Sequence, residues 1–597
     1  MSQHTRPSFT PLPCTSNDPW EPLKFTTGIL GISEWVPTSQ LTLCAHAPQI
    51  PLDKRRNPFI SICIHQFEAA ISQLVHHPEY NSTLILRSEV IEDSAAVAAA
   101  EYELPQLQGF RLVRNLRRRL LPRRPGRDPP IEQDCTFYAA SNGVSCGDVA
   151  DSEQEHVTED DTEALVNCLV LTPKLEPGRS MPYYHPAVFH IAFRYLTSPR
   201  SGGDGVMYDN DDKSEARLRI EVVLRPGAPD PKDINSRLYR TCLSLLETIH
   251  RYGWGISTNY QKQVHHDCLV SREEYQDLYL VLRERHKHLV GQWHENTDPL
   301  KHVFEDIGIA TFLMLLWKQN VHDDSASSSE SVTTSGEVQN DRPDSMPWHD
   351  WPRPRSFLDF GCGNGLLVRI LLSEGYVGEG IDLRARNSWQ HYPPQIQAHL
   401  HVHALNPLDL SQSQSSGTTV PSLISNRFFT PGTFVIANHA DELSPWTPVL
   451  ATLTDSSGFL SIPCCPWSFD AQFHRSQLRL KGSQGSERET AFAFSPPDGD
   501  DPDSFVESLR LGGVGNDAGK SRYAAYRIWL ACLGIQCGWA AETETLRIPS
   551  TRNWALVGRK RCGNRERSIV TALAIIEQVH ERGLFKTRRP EGKAGDH

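Results

Sequence analysis

Arg355-Ser356-Phe357-Leu358-Asp359-Phe360-Gly361-Cys362-Gly363-Asn364-Gly365, followed by Gly378-Glu379-Gly380-Ile381-Asp382, is the stretch that decides the fold. It reads as a strand ending in an acid, a loop with glycine at every second position, a helix, and a second strand ending in another acid. Alternate glycines admit positive φ and let the backbone approach a ligand, and the helix that follows starts with N–H groups that have no intrahelical partner. Asp382 lies 23 residues beyond Asp359. That puts it at the end of the next parallel strand, where a carboxylate accepts both hydroxyls of a ribose. The pattern is that of a nucleoside-cofactor pocket.

Glycine spacing and the leading acid narrow the ligand. A dinucleotide fingerprint needs G-x-G-x-x-G, with a pyrophosphate seated on the helix N-terminus. Here the third glycine, Gly365, comes one position early and Leu366 stands in its place. A carboxylate fixed at Asp359 would repel a pyrophosphate, but it suits a cofactor carrying an ammonium and a sulfonium. The expectation is S-adenosylmethionine, bound by Asp359, Gly361, Cys362, Gly363, Asn364, Gly365 and Asp382. The structural alternative is a βα turn of any doubly wound sheet, and the two acids in register favour the cofactor.

Working outward, 597 residues leave room for two to four domains. The longest nearly unbroken apolar run, Ile307 to Trp317, is well short of the roughly 20 residues that a spanning helix needs. No membrane segment is expected. Met1-Ser2-Gln3-His4-Thr5-Arg6-Pro7 lacks an apolar core, so secretion is not expected either, and the 14 scattered cysteines read as reduced thiols of a cytoplasmic protein. The net charge of −12 gives no global argument for nucleic acid. Its distribution does: Arg111, Arg114, Arg117, Arg118, Arg119, Arg123, Arg124 and Arg127 crowd one segment, a basic patch suited to phosphates. The alternative is a solvated loop, or arginines satisfied by partners elsewhere in the fold.

Polar runs divide the chain. The acidic segment 149–164 reads as a loop or disordered insertion, and 323–347 as a polar, disordered linker. Residues 1–322 form an N-terminal α+β region. In it, alternation over Leu218 to Leu224 predicts a strand, Val188 to Leu196 a neighbouring one, and Ile234 to Ile249 a helix. Residues 348–560 read as a Rossmann-like α/β domain with a mostly parallel sheet. Its strands are expected at Phe357–Leu358, Gly378–Ile381, His399–Ala404 and Thr433–Ala437, with a helix over Gly365 to Glu374 and ligands at the strands' carboxyl ends. Polar inserts at 411–422 and 496–520 would hang outside the sheet, and 561–597 would form a C-terminal helix and tail.

Four further stretches make the pattern narrower. They are Asp298-Pro299-Leu300-Lys301-His302-Val303-Phe304-Glu305-Asp306-Ile307, Asn438-His439-Ala440-Asp441-Glu442-Leu443-Ser444-Pro445-Trp446, Ile462-Pro463-Cys464-Cys465-Pro466-Trp467, and Leu546-Arg547-Ile548-Pro549-Ser550-Thr551-Arg552-Asn553-Trp554. With the cofactor loop, they resemble the eukaryotic tRNA (uracil-2′-O-)-methyltransferase family, and the chain looks like a fungal member. The resemblance covers roughly Tyr252 to Gly558. It implies a class I S-adenosylmethionine-dependent methyltransferase fold, tRNA as partner, uridine 44 of serine tRNA as target, and a tRNA-binding N-terminal region. Some relatives carry a Cys/His zinc module near the C-terminus; here only Cys562 follows Cys537, so no metal is expected.

Methyl transfer to a ribose 2′-hydroxyl is an in-line displacement, aided by alignment and by a group that takes the hydroxyl proton. Asp441 is the first candidate for that group and His439 the second. Glu442 belongs to the same set, and Asn438 joins the cofactor contacts because it follows strand four. The competing role for Asp441 and Glu442 is to cap the helix that Pro445 starts. No Lys-Asp-Lys-Glu tetrad is identifiable by spacing. Cys464-Cys465, between two prolines, suits a tight loop better than a metal site; attack of a cysteine on the base is the minority alternative. Arg547 and Arg552 either bind phosphate or shape a turn, and Arg117, Arg118, Arg119, Arg123 and Arg124 are candidate RNA contacts. Two competing functions remain: a noncatalytic RNA-binding subunit with a methyltransferase fold, and a methyltransferase acting on another RNA, on protein or on small molecules.

Overall fold

A computed structural model of the chain describes residues 11–13, 21–26, 35–37, 39–46, 49–51, 59–61, 63–95, 104–141, 165–197, 216–228, 233–260, 265–319, 346–406, 427–469, 471–478, 502–511 and 521–583. The acidic insertion 149–164, the linker up to residue 345 and the insert 411–422 lie outside them. The chain folds as two compact units, Met1–Gln261 and Lys262–His597.

The main sheet of the first unit is antiparallel, with strands β1 (Leu12–Pro13), β2 (Ser39–His46), β3 (Ile85–Ala95), β4 (Phe110–Pro122), β5 (Ile131–Ala140), β6 (Cys168–Lys174), β7 (Val188–Thr197) and β8 (Ala216–Leu224). Their order is β1-β2-β8-β7-β6-β5-β4-β3. The two strands expected from alternation are indeed neighbours, with Ile191 opposite Val222. Helices α1 (Ile64–His76) and α2 (Arg237–Ser257) pack on one face of the sheet. The start of α2 is fixed by Ser236, whose hydroxyl accepts the Tyr239 N–H at 3.1 Å. Its Leu238, Cys242, Leu246 and Ile249 join Phe67, Ile71 and Leu74 of α1 over Phe137, Leu169, Phe193 and Ile220 of the sheet. Each such buried side chain contributes about 1.5–3 kcal/mol over exposure.

In the second unit, strands β9 (Ser356–Phe360), β10 (Gly378–Asp382), β11 (Leu400–Val402), β12 (Thr433–Asn438), β13 (Gly458–Ile462), β14 (Glu542–Thr545) and β15 (Trp554–Gly558) form a sheet in the order β11-β10-β9-β12-β13-β15-β14. The first five run parallel, and β15 is antiparallel to both its neighbours. Helices α3 (Arg272–His286), α4 (Pro299–Gln319) and α5 (Leu366–Ser373) share one core with the sheet, while α6 (Trp446–Leu453), α8 (Arg522–Gln536) and α9 (Arg565–Arg582) share the other.

Two boundaries differ from those expected. The first unit ends at residue 261, because α3 and α4 pack on the second unit's sheet. Asp298 caps α4 by accepting the Leu300 N–H at 3.0 Å, every residue from Glu305 to Trp317 is buried, and Trp317 meets Phe434 edge-on with centroids 5.4 Å apart. The apolar run that looked too short for a membrane is thus a core helix. Likewise, α9 is no appendage: Ala572, Ile575, Ile576 and Val579 lie in the core with Trp539.

The insert 496–520 is corrected too. Its described part holds α7 (Pro502–Ser508), with Phe505, Leu509 and Leu511 buried. The Leu509 carbonyl accepts from Trp554 Nε1 at 3.1 Å and from the Thr543 hydroxyl at 3.2 Å. Three apolar residues in a polar segment make it a plug in the core rather than an outside loop.

Candidate functional site

Strands β9, β10 and β12 are adjacent and parallel, with Asp359 level with Gly380 on one side and Ile436 on the other. Their carboxyl ends therefore bring Asp359, Asp382 and Asn438 to one edge of the sheet. Between β9 and α5 the glycines take left-handed φ, 82° at Gly361, 54° at Gly363 and 72° at Gly365, values that a side chain would strain.

The loop is closed onto β10 by its own backbone. The Gly361 and Cys362 N–H groups donate to the Ile381 carbonyl at 2.9 and 3.0 Å, and the Gly363 N–H donates to Asp382 Oδ2 at 2.9 Å. Asn364 Oδ1 accepts the Leu366 N–H at 2.9 Å. One N–H at the start of α5 is thus met by a side chain, while Gly365 in the N-cap position offers none. Cys362 is buried, and its Sγ would stand only 2.9 Å from a Cβ placed on Gly380. It serves the loop through packing and backbone.

What stays open is on the acceptor side. Asp382 accepts one N–H at each oxygen, from Gly363 and from Arg384 at 3.2 Å, which leaves a carboxylate further lone pairs for hydroxyls. Asp359 is 2% exposed, and its Oδ1 has no partner among the described residues; the same holds for Asn438 Oδ1. Burial, and then the charge of Asp382, pushes the Asp359 carboxyl up to about 8. Buried polar atoms are rarely left unbonded. Two orphaned oxygens, a left-handed glycine loop and an acid with spare lone pairs fit a nucleoside cofactor that has a cationic end.

The segment after β12 is tied to three others. His439 and Asp441 both take left-handed φ, 54° and 45°, which is uncommon for such side chains and clusters at functional sites. A Cβ on Gly361 would meet Ala440 Cβ at 3.5 Å, so this segment touches the cofactor loop. His439 Nε2 lies 3.1 Å from Glu305 Oε1 of α4, and the Ser550 hydroxyl faces the same carboxylate. Burial pushes Glu305 up, but the bond and charge of His439, with Ser550 and Lys301, outweigh it and hold the acid below its ordinary range. Burial and the charges of Glu305 and Asp359 push the adjacent Asp306 well up.

Asp441 is exposed and caps no helix: α6 starts on Pro445 without a side-chain cap, while Asp441 Oδ1 accepts from Cys464 Sγ at 3.0 Å. Burial, then the bond and charge of Asp441, push the Cys464 thiol far up, so it stays protonated and is a poor nucleophile. The two adjacent sulfurs and an Asp441 oxygen lie within 4.8 Å of one another, and no other described histidine, cysteine or acid joins them. Glu442 is half-buried in the same turn.

The arginines separate into two groups. Arg118 is 3% exposed; it donates to Gln133 Oε1 at 3.0 and 2.6 Å and to the Val75 carbonyl. Arg117 pairs with buried Asp134 at 2.9 Å and Arg119 with Glu132 at 2.8 Å, all across the β4–β5 register. Arg117 and Arg118 therefore work inside the sheet, contrary to the RNA contacts expected of them. Arg123 and Arg124 are exposed in the turn that follows. Arg547 is held bidentately by Asp267 at 2.7 and 2.5 Å, which favours the turn-shaping alternative. Arg552 is exposed, with its guanidinium 4.0 Å from the Tyr523 ring centroid, and the Tyr523 hydroxyl donates to the Pro463 carbonyl at 2.6 Å.

Glu305 and Tyr523 carried no role in the sequence reading. The signal for Glu305 was present: two adjacent acids in an otherwise apolar stretch that proves buried.

The quoted stretches thus meet beside the glycine loop. Residues 60–263 match a family model described as TRM44-like, N-terminal bet v1-like domain, and residues 269–336 and 349–407 match one described as predicted AdoMet-dependent methyltransferase. Curated proteins named tRNA (uracil-O(2)-)-methyltransferase align along most of the chain. The Neurospora crassa protein is 32% identical over 520 residues, 83% of this chain and 84% of the relative. The chain belongs to this methyltransferase family. The Schizosaccharomyces pombe relative is 32% identical over 554 residues, covering 89% and 91%, and the Saccharomyces cerevisiae one 27% over 566, covering 82% and 84%. No solved structure matches the chain. The enzyme is an S-adenosylmethionine-dependent methyltransferase, and Asp359, Asp382 and Asn438 are the groups of this edge able to hold the donor. Among the described residues, no helix is long and apolar enough to cross a membrane.

Proposed function

We propose that the enzyme transfers the methyl group of S-adenosylmethionine to the 2′-oxygen of a uridine ribose in tRNA, that its target is uridine 44 of serine tRNA, and that it works in the cytoplasm. The observation that carries this reading is the convergence of the 298–307, 438–446, 462–467 and 546–554 segments on the glycine loop, with orphaned oxygens at Asp359 and Asn438. A class I methyltransferase fold accords with the strand order and with the single reversed strand β15. The acids at the ends of β9 and β10 hold the cofactor, Asp359 at its cationic end and Asp382 at its ribose.

Asp441 is the group that orients the 2′-hydroxyl and accepts its proton, because it is exposed beside the loop and its carboxylate has lone pairs beyond the one used by Cys464. The His439–Glu305 pair braces the turn that presents Asp441. The first unit binds tRNA, and the exposed Arg123, Arg124 and Arg552 take phosphates. A noncatalytic RNA-binding subunit would have no need to keep both acids and the left-handed glycines.

The test is to incubate the full chain with labelled cofactor and bulk tRNA, and to map the methylated nucleoside. Labelled 2′-O-methyluridine at position 44 of serine tRNA is expected. Cofactor binding without transfer to any tRNA would overturn the reading, and transfer to another position would overturn its finer part.

A further inference from the structure

The segment that follows β6 presents one aromatic ring to solvent and buries the next. Tyr183 is 56% exposed, whereas Tyr184 and His185 are buried. The Tyr184 hydroxyl donates toward the Pro129 and Leu120 carbonyls at 2.9 and 3.2 Å, and His185 Nε2 lies 2.9 Å from Gln133 Nε2. These anchors pin the segment to the β4–β5 turn, so Tyr183 is held in place without burial. Two cations frame its ring: the Arg237 guanidinium lies 3.9 Å from the ring centroid and that of Arg127 5.6 Å.

A second observation points the same way. The first turn of α2 contains Arg237 and Arg240 and no acid. A helix N-terminus favours anions, so cations there forfeit stability. The positive helix end and its arginines add to one field with Arg123, Arg124 and Arg127, which are exposed. Three acids accompany these arginines: Glu176 is engaged with Arg179 at 2.8 Å, Asp233 accepts the Asn235 N–H at 2.9 Å, and Asp128 acts on the Tyr184 hydroxyl.

We propose that Tyr183, framed by Arg127 and Arg237, is a stacking platform for an unpaired base of tRNA, with Arg123 and Arg124 on the adjoining phosphates. The inference rests on the tRNA reading above. A ring fixed beside guanidinium planes matches the π-face of a nucleobase, and unstacked bases of structured RNA are recognised in this way.

The test uses the full chain and serine tRNA in binding assays across a salt series. Tyr183→Ala should weaken binding about tenfold, whereas Tyr183→Phe, which keeps the ring, should stay within about twofold. Arg124→Ala should flatten the salt slope by about one. Tyr183 should crosslink to 4-thiouridine-substituted tRNA. Thermal melts of each variant exclude unfolding. If wild type binds tRNA and Tyr183→Ala binds with equal affinity and no crosslink forms at this residue, the platform is refuted while the tRNA reading stands; a surface made for a protein partner would give that result. Absence of tRNA binding by wild type would overturn both.

Discussion

The glycine loop with its flanking strand ends and the arginine-rich strand β4 are the two regions that a reader of the sequence would mark first. They treat polar groups in opposite ways. In the loop, the Gly361, Cys362, Gly363 and Leu366 N–H groups are satisfied internally, while Asp359 Oδ1 and Asn438 Oδ1 at the adjoining strand ends have no partner among the described residues. On β4, Arg117, Arg118 and Arg119 all find acceptors on β5 or α1. An unbonded buried acceptor costs about 1–3 kcal/mol, a cost that a ligand donating to these two oxygens would remove. A charge run marks function only where its charges stay unspent.

The largest expected effect on cofactor affinity tests the open side of this contrast. Replacing Asp382 by Ala removes the acceptor of the Gly363 N–H and, on the proposed reading, that of the ribose hydroxyls. With about 1.5–3 kcal/mol for each hydrogen bond to a charged group, cofactor affinity should fall about 100-fold in calorimetry. Unchanged affinity would remove the ribose role and, with it, the claim that spare lone pairs mark the site.

The closed side gives the next effect. Arg118→Ala strands Gln133 Oε1 in the interior and leaves the Val75 carbonyl only the Ser88 hydroxyl at 3.4 Å, and it should cost about 3 kcal/mol of stability in denaturant titration. Below the transition, its tRNA affinity should equal wild type. Arg124→Ala should do the reverse, with stability within about 0.5 kcal/mol and weaker tRNA binding. An Arg118 variant that is stable but binds tRNA poorly would break the comparison.

These cases show what a sequence can and cannot carry. The glycine loop was legible because its signal is local: backbone conformation and strand-end acids are set by neighbours in the chain. So were β7, β8 and α2, from periodicity alone. The arginines misled because their partners Glu132, Gln133 and Asp134 lie on the next strand, and only the register of β4 against β5 turns a basic run into a ladder of pairs. For the same reason Glu305 went without a role: its partner His439 is 134 positions away. The boundary near 322 failed because a polar linker marks where the chain is unpatterned. It does not mark which sheet a preceding helix covers.

A smaller effect concerns the pH response of the open site. Asp359 has its carboxyl raised from 3.8 to about 8, by burial first and by Asp382 second. With its carboxyl raised to about 8, Asp359 at the cationic end of the cofactor, as proposed above, would release a proton on binding. Cofactor affinity should rise up to about tenfold per pH unit below 8 and level off above it. Calorimetry in buffers of different ionisation enthalpy should detect the released proton, and Asp359→Asn should flatten the profile. The sign for stability is the opposite. A raised acid stabilises the ligand-free fold fully below about 3.8, and that contribution is lost as pH rises through about 8. Proton uptake on binding, or none, would show that Asp359 is not at the cationic end.

The smallest effect separates a neighbour of the site from a participant. Cys464 donates to Asp441, and its thiol is pushed far up by burial and by that same carboxylate. A thiol held protonated by its acid partner is the reverse of an activated nucleophile, whose thiolate needs nearby cations. In addition, transfer to a ribose oxygen calls for no covalent enzyme–base adduct. Cys464→Ala should therefore leave cofactor affinity unchanged and slow single-turnover methylation of tRNA by less than about tenfold, the worth of one hydrogen bond from a weak S–H donor to Asp441. Asp441→Asn, which removes the proposed proton acceptor, should slow it by about 10²–10⁴-fold. If the order is inverted, with the cysteine variant dead and the aspartate variant active, then carbon-5 chemistry on the base is the better account, and the open valences of this edge serve a nucleophile instead of a base.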